Sequence, residues 1–355
     1  MKRIEKVITS IEGLDCKLMN FTQKRLDNLT KPRGSLGKLE ELAKLIVGIT
    51  GEKNPAMKNK VIFTFAADHG VTKEGISAFP KEVTAQMVYN FLAGTAAINV
   101  LSRHIGSRVV IADLGVSSDL KTHKNLLIKK VNYGTKNFAK GPAMSRDEAI
   151  VSICAGIDIF EQEYAKGIDI IGTGEMGIGN TTSSSAIAAV FTKKPLKLLT
   201  GRGTGIDEKG LKNKIKVIGE AIRINKPDSG NAIDVLAKVG GFEIGGLSGI
   251  ILAAAARRVP VVIDGFISAA AALIAFGLQP KVKDYMIASH SSVEKGHKII
   301  LEYMGLKPLF DLDLRLGEGT GAALGINLAE ASVKILTQMA TFKSAKVSEK
   351  NNDKP

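Results

Sequence analysis

An acid inside a glycine-rich segment is the feature of this sequence that most suggests chemistry. The segment, residues 168–182, begins with the apolar run Ile168–Ile171, which predicts a short strand that stops at Gly172. Glycines let a backbone approach a phosphate closely, and the free amides at a helix N-terminus attract anions. Because a phosphate repels a carboxylate, Glu175 is expected to face another part of the ligand. We therefore predict an anion site in this glycine loop, which includes Gly177 and Gly179 and leads through Asn180 into a helix that opens near Thr181.

Two well-known motifs match part of this segment, and both are incomplete. Gly172, Gly174 and Gly177 have the spacing of a dinucleotide-binding loop, but no acid follows about 20 residues later to bind a ribose. The segment also matches a P-loop, except that Asn180 stands where the phosphate-binding lysine belongs. A phosphate-bearing ligand of another kind is the favoured interpretation, and a ligand-free turn is the alternative.

A second glycine loop repeats the pattern. Leu198–Asp207 reads as a strand, a glycine loop and the start of a helix, and it contains Gly201, Arg202 and Gly203. Arginine is well suited to bind an anion because its planar fork of donors matches phosphate and carboxylate groups. Two such loops in succession weaken the interpretation of either one as a simple turn.

Several polar residues follow other apolar runs. Asp68 with His69, Asp113 and Asp264 each end a predicted strand. Ligands collect at the carboxyl ends of parallel strands, so these side chains are candidates for the wall of a site. Phe79, in a loop before a helix, offers a surface for a flat heterocycle, although packing into the core is an equally simple role for it.

The elements that must position these residues alternate between strand and helix. Strands are predicted over 61–67, 108–113, 125–132, 259–264 and 284–289, besides the two already described. The longest helices are expected within 1–30 and over 39–49, 81–101, 145–165, 239–258, 266–276 and 321–340. Repeated strand–loop–helix units predict an α/β protein with helices on both faces of a sheet.

Composition favours a soluble globular protein. The chain has 355 residues, a net charge of +14, 45% hydrophobic residues and two cysteines, too few for a disulfide framework. Basic residues are spread through helices that also carry acids, which favours a surface for anionic small molecules over nucleic-acid binding. The first residues lack the apolar region of a signal peptide, so a cytoplasmic location without membrane contact is expected.

Eight stretches together resemble the nicotinate-nucleotide–dimethylbenzimidazole phosphoribosyltransferase family. They run in order along the chain and leave no segment of the family pattern missing between about residues 30 and 330. The stretches are Thr30–Glu40, Ala67–Gly70 with Ala78–Pro80, Gly172–Thr182, Thr200–Gly205, Val239–Ile244, Val262–Phe266, Ser289–Ser292 with Glu294, and Arg315–Gly321.

The resemblance implies a pentosyltransferase of cobalamin biosynthesis. In that reaction, nicotinate mononucleotide gives its 5-phosphoribosyl group to 5,6-dimethylbenzimidazole, with inversion at C1′, and the products are α-ribazole 5′-phosphate and nicotinate. By similarity, Glu318 is the general base that takes the proton of the second ring nitrogen. Glu175 and Asp264 are expected to stabilise positive charge on the ribose. No cofactor and no metal are implied.

The resemblance also implies an architecture and a set of contacts. The family fold is a Rossmann-like, mostly parallel sheet with helices on both faces, joined to a smaller helical domain, in a homodimer. We expect the small domain over 1–55 and 320–345, the large α/β domain over 56–319, and a disordered tail over 346–355. The phosphate is expected on the amides of 177–181 and 201–205, and the base beside Phe79, Gln86 and Glu318. Ser292 is a further expected substrate contact.

Alternatives to this function remain open at the level of sequence. A related transferase that prefers another base, such as adenine or a phenol, would need only a modestly altered pocket. A nucleotide-binding or sensor protein of the same fold is the non-enzymatic alternative, against which the presence of Glu318 argues. A nucleoside hydrolase is disfavoured because Asp68 and Asp113 are isolated acids rather than members of a cluster.

Overall fold

A parallel sheet of six strands forms the centre of the protein. The computed structural model describes residues 1–348, and its strands lie in the order β3-β2-β1-β4-β5-β6, with every neighbouring pair parallel. This order confirms the predicted α/β class. The chain reverses its direction of travel across the sheet between β1 and β4, which is where open parallel sheets bind ligands. The strands are β1 Lys60–Ala67, β2 Arg108–Gly115, β3 Leu126–Ile128, β4 Ile170–Met176, β5 Val261–Ile263 and β6 Met286–Ala288.

Helices cover both faces of this sheet. Along β1, residues 61, 63 and 65 belong to one hydrophobic core and residues 62 and 66 to the core on the opposite face. The whole strand is buried, as is typical of parallel sheets with two covered faces. The helices are α1 Lys2–Thr9, α2 Cys16–Asp27, α3 Lys38–Thr50, α4 Val83–Ala93, α5 Ala97–Ile105, α6 Arg146–Tyr164, α7 Asn180–Thr192, α8 Leu196–Leu199, α9 Glu208–Asn225, α10 Ala232–Val239, α11 Phe242–Ala256, α12 Phe266–Leu278, α13 Lys295–Met304, α14 Thr320–Gln338 and α15 Phe342–Ala345, with 3-10 turns at Gly70–Glu74 and Pro280–Tyr285.

Three predicted elements differ from the structure. The strand expected to stop at Gly172 continues to Met176, because residues 172–176 pair with residues 62–66 of β1. The strand expected near Leu198 is the short helix α8. The long helix expected over 81–101 is divided into α4 and α5, because Gly94 adopts a left-handed φ of +77° that ends the first of them.

The two ends of the chain meet in a small hydrophobic cluster of their own. Leu26 and Leu29 pack there with Ala43 and Val47 of α3 and with Leu336 near the end of α14. The first half of α14 instead packs on the sheet, since its residues 322, 323 and 326 share a core with β1, β4 and β5. Helix α14 thus belongs to both regions, and the division into domains at residue 320 stays a prediction.

The described part of the chain ends shortly after α15. Residues 349–355, most of the segment predicted as a disordered tail, lie outside the described residues. Among residues 1–348, no helix is both long and apolar enough to cross a membrane.

Candidate active site

A cavity of about 410 Å³, here called the first cavity, opens at the carboxyl ends of β4, β5 and β6. Phe79 together with Val83 and Met87 of α4 gives it an apolar wall. Polar groups come from the strand ends and from the loops that follow them. They are Glu175, Asn180, Thr181, Thr204, His290, Ser292, Glu294, Arg315 and Glu318.

The turn that carries Glu318 has an unusual backbone. Gly317, Glu318 and Gly319 have φ values of +84°, +63° and +100°, three left-handed residues in succession. Glycine accepts this conformation freely, whereas a residue with a side chain is strained by about 1–3 kcal/mol. Strain of this kind persists only where the surroundings fix it, so the position of Glu318 is imposed by its neighbours.

Two groups of the sheet hold this turn from below. Thr64 Oγ1 of β1 donates a hydrogen bond to Glu318 O at 2.9 Å. Gly174 of β4 faces the same carbonyl oxygen, and a Cβ atom at position 174 would collide with it. The glycine in the middle of a buried strand therefore leaves room for the turn.

Asp264, at the end of β5, fixes the other side of the turn. Its Oδ2 accepts a hydrogen bond from Gly319 N at 3.1 Å, and its Oδ1 accepts from Gly321 N at 2.7 Å and Ala322 N at 3.1 Å. Burial raises the pKa of Asp264 to about 7, although these backbone donors favour the ionised form. Both oxygens are used at the N-terminus of α14, and the side chain does not line the first cavity.

The carboxyl group of Glu318 lies in the cavity wall. Its Oε2 accepts a hydrogen bond from Ile98 N, in the first turn of α5, at 3.2 Å. The residue is only 5% exposed, and burial raises the pKa of its carboxyl group while the Ile98 amide lowers it. A carboxylate with a raised pKa is a stronger base than an exposed glutamate.

Glu175 lies beside the same turn. A Cβ atom at position 317 would collide with its Oε1, so Gly317 is required for this approach. Asn180 Nδ2 donates a short hydrogen bond to Glu175 Oε2. Burial raises the pKa of Glu175 well above its usual range, and the nearby charges of Asp264, Glu243 and Glu318 raise it further. Burial and these neighbouring acids therefore favour the protonated form of Glu175 in the ligand-free protein.

A buried lysine, which sequence reasoning missed, joins the two glycine loops. Lys214 of α9 is 1% exposed; its Nζ donates to Thr181 Oγ1 at 2.7 Å and lies 3.1 Å from where a Cβ atom on Gly203 would stand. Burial lowers its pKa to about 8, while the charge of Glu294 raises it. The sequence does hold a signal, because Lys214 replaces an apolar residue in the buried stripe formed by Leu211, Ile218 and Ala221.

The first glycine loop uses some of its own amides. Asn180 N donates to Gly177 O at 3.1 Å and Thr182 N to Gly179 O at 2.9 Å. Within residues 1–348, the amides of Gly179 and Thr181 have no hydrogen-bond partner. These two amides, next to the Lys214 ammonium, are the free donors that the predicted phosphate site requires.

The second glycine loop is partly occupied by an acid. Glu294 Oε1 accepts a hydrogen bond from Gly203 N at 3.0 Å, and a Cβ atom on Gly201 would collide with Oε2 of the same side chain. Gly203 lines the first cavity, whereas Gly201 does not. An anion that uses the Gly203 amide must therefore replace Glu294.

The remaining predicted residues are distributed around the first cavity. Phe79 and Ser292 line it. Gln86 is exposed on α4, on which Val83 and Met87 are the lining residues. Arg202 lies outside it: Nη1 of this arginine donates to Ile206 O at 2.9 Å and its Nη2 to Glu208 Oε2 at 2.8 Å.

Neither Asp68 nor His69 lines the first cavity, and Asp68 Oδ2 instead accepts a hydrogen bond from Ser117 N at 2.7 Å. His69 Nε2 lies 2.6 Å from Glu243 Oε1, and its Nδ1 lies 3.0 Å from Ser183 Oγ. This serine–histidine–glutamate arrangement resembles a hydrolytic triad in its order, but the side chains of His69 and Glu243 are fully buried. The arrangement links the end of β1 to α7 and α11, so it stabilises the loop from which α7 starts.

Comparisons with known proteins find similar sequences that span nearly the whole chain. A family model described as "Phosphoribosyltransferase" matches residues 11–347. The chain is 54% identical over 349 residues to a protein of Geobacter sulfurreducens named nicotinate-nucleotide–dimethylbenzimidazole phosphoribosyltransferase, covering 98% of this chain and 99% of the relative. A protein of Desulforudis audaxviator with the same name is 54% identical over 353 residues, covering 99% of this chain and all of the relative.

Solved structures show the same similarity. A crystal structure from Thermus thermophilus, described under the same enzyme name, superimposes with a TM-score of 0.90 at 41% identity and covers 95% of this chain and 100% of that one. A second structure from that organism, described as CobT, gives a TM-score of 0.90 at 42% identity and covers 94% of this chain and 99% of that one.

Proposed function

The chain belongs to the nicotinate-nucleotide–dimethylbenzimidazole phosphoribosyltransferase family, and we propose that it transfers the 5-phosphoribosyl group of nicotinate mononucleotide to 5,6-dimethylbenzimidazole. The observation that carries this proposal is the Glu318 carboxyl group, buried and fixed on a strained turn in the wall of a cavity. Thr181 lines the same cavity and accepts a hydrogen bond from the buried Lys214 ammonium, beside the proposed phosphate site. The products are α-ribazole 5′-phosphate and nicotinate.

The donor phosphate is assigned to the region between α7 and α9. The free amides of Gly179 and Thr181 and the Lys214 ammonium supply the positive charge and the donors that a phosphate needs. A P-loop places its lysine within the loop itself, whereas here the ammonium comes from Lys214 on helix α9, 33 residues further along the chain than Thr181. This placement accounts for an incomplete motif at Asn180.

The acceptor base is assigned to the apolar wall. Dimethylbenzimidazole is flat and apolar except for its two ring nitrogens, and Phe79, Val83 and Met87 offer it a matching surface. The same cavity includes Glu318, so one ring nitrogen can meet a carboxylate while the ring packs on apolar side chains.

The chemistry at C1′ follows from these positions. The bare nitrogen of the base attacks C1′ as the bond from C1′ to the nicotinate nitrogen breaks, and that bond's electron pair neutralises the pyridinium ring. The proton on the second base nitrogen passes to Glu318. Attack from the face opposite the leaving group inverts β to α.

Glu175 and Asp264 take different roles in this proposal. Asp264 acts as a positioning residue, because it holds the backbone of the turn that carries Glu318. Glu175 lines the cavity, and a cationic donor favours its ionised form. Binding of the pyridinium substrate therefore lowers the pKa of Glu175 and supplies a carboxylate near the charge that develops on the ribose.

We also propose that the protein is a homodimer in the cytoplasm. Leu312 and Leu316, which precede the catalytic turn, are each 59% exposed, and Val293 is 52% exposed. Such apolar side chains near a cavity mouth favour an interface. Sedimentation equilibrium of the purified protein tests the oligomeric state, and a monomer at all concentrations would contradict it.

The direct test is a reaction with purified protein. Nicotinate mononucleotide and dimethylbenzimidazole are incubated with the enzyme, and α-ribazole 5′-phosphate is followed by chromatography. Adenine and a simple phenol replace dimethylbenzimidazole in parallel reactions, which identifies the preferred acceptor. If well-folded protein forms no ribosylated product with any of the three, the proposed function is wrong.

A further inference from the structure

Arg315 stands between two cavities. It lines the first cavity and also a second one of about 630 Å³, together with Gly203 and Glu294. The second cavity is rich in cations, with Lys197, Arg202, Lys212 and Lys295 in its wall besides Arg315. Arg315 lies three residues before Glu318 and on the same segment that leads into the catalytic turn.

Arg315 is the one formally cationic side chain that lines the first cavity within residues 1–348. His290 lines it too, but burial lowers the pKa of that imidazole to about 4, so it is neutral. Arg315 makes no hydrogen bond or ion pair in the described part of the chain, whereas Arg202 is held by Glu208 and the Ile206 carbonyl. Its guanidinium is therefore available to a ligand.

The donor of the proposed reaction has an anionic group at each end. The Lys214 region accounts for the phosphate, but the carboxylate of the nicotinate ring needs a second cation. Apart from Arg315, the first cavity is lined by acids, neutral polar groups and apolar side chains. Resting on the proposed function, we propose that Arg315 binds the carboxylate of the nicotinate leaving group and makes the enzyme select acid donors over amide donors. A guanidinium matches a carboxylate with two parallel hydrogen bonds.

This pairing also assists the transfer. Before the reaction, the nicotinate ring is a zwitterion, because the pyridinium charge offsets the carboxylate. As the bond to C1′ breaks, the electron pair returns to the ring and the leaving group becomes an anion. A nearby guanidinium therefore interacts more strongly with the transition state than with the bound donor, which is the condition for an effect on kcat.

A nicotinamide leaving group has different charges before and after the bond to C1′ breaks. It begins as a cation, which the guanidinium repels, and it ends neutral, which offers no ion pair. The same side chain thus favours the acid donor and disfavours the amide donor. This opposite sign distinguishes a carboxylate contact from a general effect on folding or phosphate binding.

The test compares two donors in Arg315→Gln. Relative to wild type, kcat/KM for nicotinate mononucleotide is expected to fall roughly 10- to 100-fold, the range for a lost hydrogen-bonded charge contact. The value for nicotinamide mononucleotide should stay constant or rise, so the ratio of the two changes at least as much. Arg315→Lys keeps the charge without the fork and should restore part of the preference.

Lys295→Gln is the matched control, because it removes a cation that lines the second cavity but not the first. This control should keep the wild-type ratio. If the ratio of kcat/KM for the two donors is unchanged in Arg315→Gln, or if both values fall equally, the inference is wrong. Normal activity of the wild-type protein would in that case leave the proposed function standing. A wild-type protein inactive with both donors would instead count against the proposed function.

Discussion

The Cα atom of Gly174 faces the carbonyl oxygen of Glu318 so closely that no side chain can stand at position 174. We predict that Gly174→Ala displaces the turn and lowers kcat by roughly two orders of magnitude, since small misplacements of a catalytic group are that costly. The free energy of unfolding should fall by about 1–3 kcal/mol through overpacking. Steady-state kinetics and denaturant unfolding measure the two effects.

Gly13→Ala is the control for that variant, because a Cβ atom at position 13 meets nothing within 4 Å. It should retain wild-type kinetics. Full activity in Gly174→Ala would show that the turn accommodates the methyl group without moving Glu318.

Loss of the base should separate chemistry from binding. In Glu318→Gln, we expect kcat to fall by roughly two or more orders of magnitude, because the amide cannot accept the proton. Affinity for nicotinate mononucleotide, measured by calorimetry, should stay close to that of wild type. Glu302→Gln, an exposed residue of α13, is the comparison. Normal turnover in the Glu318 variant would remove this residue from the role of base.

Loss of the Lys214 ammonium should weaken donor binding and raise the stability of the ligand-free protein. Replacing the buried ammonium with an apolar chain in Lys214→Met is expected to raise KM for the donor roughly 10- to 100-fold. The ligand-free protein should become more stable by about 1–3 kcal/mol, because the cost of burying a charge disappears. Calorimetric melting and kinetics test the pair of effects, with Lys209→Gln on the exposed side of α9 as control. A destabilised variant with unchanged KM would contradict the assignment.

The lowered pKa of Lys214 also predicts an alkaline limit. Its ammonium loses its proton as the pH rises through about 8, so kcat/KM for the donor should decline there, since this parameter reports the free enzyme. Lys214→Arg keeps its charge and should shift that limit to higher pH. On the acid side, activity should decline as Glu318 becomes protonated. Because the pKa of Glu318 is raised, this decline should begin at a higher pH than for an ordinary glutamate.

Asp264 should make stability depend on pH in an unusual direction. Its pKa is about 7 in the folded protein against 3.8 as the ordinary value, so between these limits the folded state binds more protons than the unfolded state. The contribution of Asp264 to the free energy of unfolding therefore falls as the pH rises from about 4 to 7, by at most about 1.4 kcal/mol per pH unit. Measured by denaturant across this range, the free energy of unfolding should decline less steeply with pH in Asp264→Asn than in wild type. An equal slope in the two proteins would contradict the raised pKa of Asp264.

The sequence predicted the sheet well because its strands are short apolar runs that end in acids or glycines. It placed the strand boundary at Gly172 wrongly, because glycine usually interrupts a strand. Here Gly172 and Gly174 remain in β4, since Ala322 packs against the first and the Glu318 carbonyl against the second. The cause lies about 150 residues away in the chain and is invisible to a local pattern.

Long-range contacts also explain what the sequence left out of the site. Asp264 was expected near the ribose, but its partners are backbone amides at residues 319–322, which no side-chain pattern reveals. The sequence pattern indicated that Arg202 binds an anion, because it lies within a glycine loop. In the structure, the guanidinium of Arg202 instead forms an ion pair with Glu208. Lys214 was hidden among neighbouring lysines, although its place on the buried stripe of α9 distinguishes it.

Helix α14 starts at the turn that holds Glu318 and runs about 24 Å before it reaches Leu336 in the cluster at the chain ends. An α-helix is stiff along its axis, so it transmits force from one end to the other. Helices α2 and α3 pack around the far end of α14, and Thr64 and Asp264 hold the turn at its near end, so one continuous helix joins the small cluster to the catalytic turn.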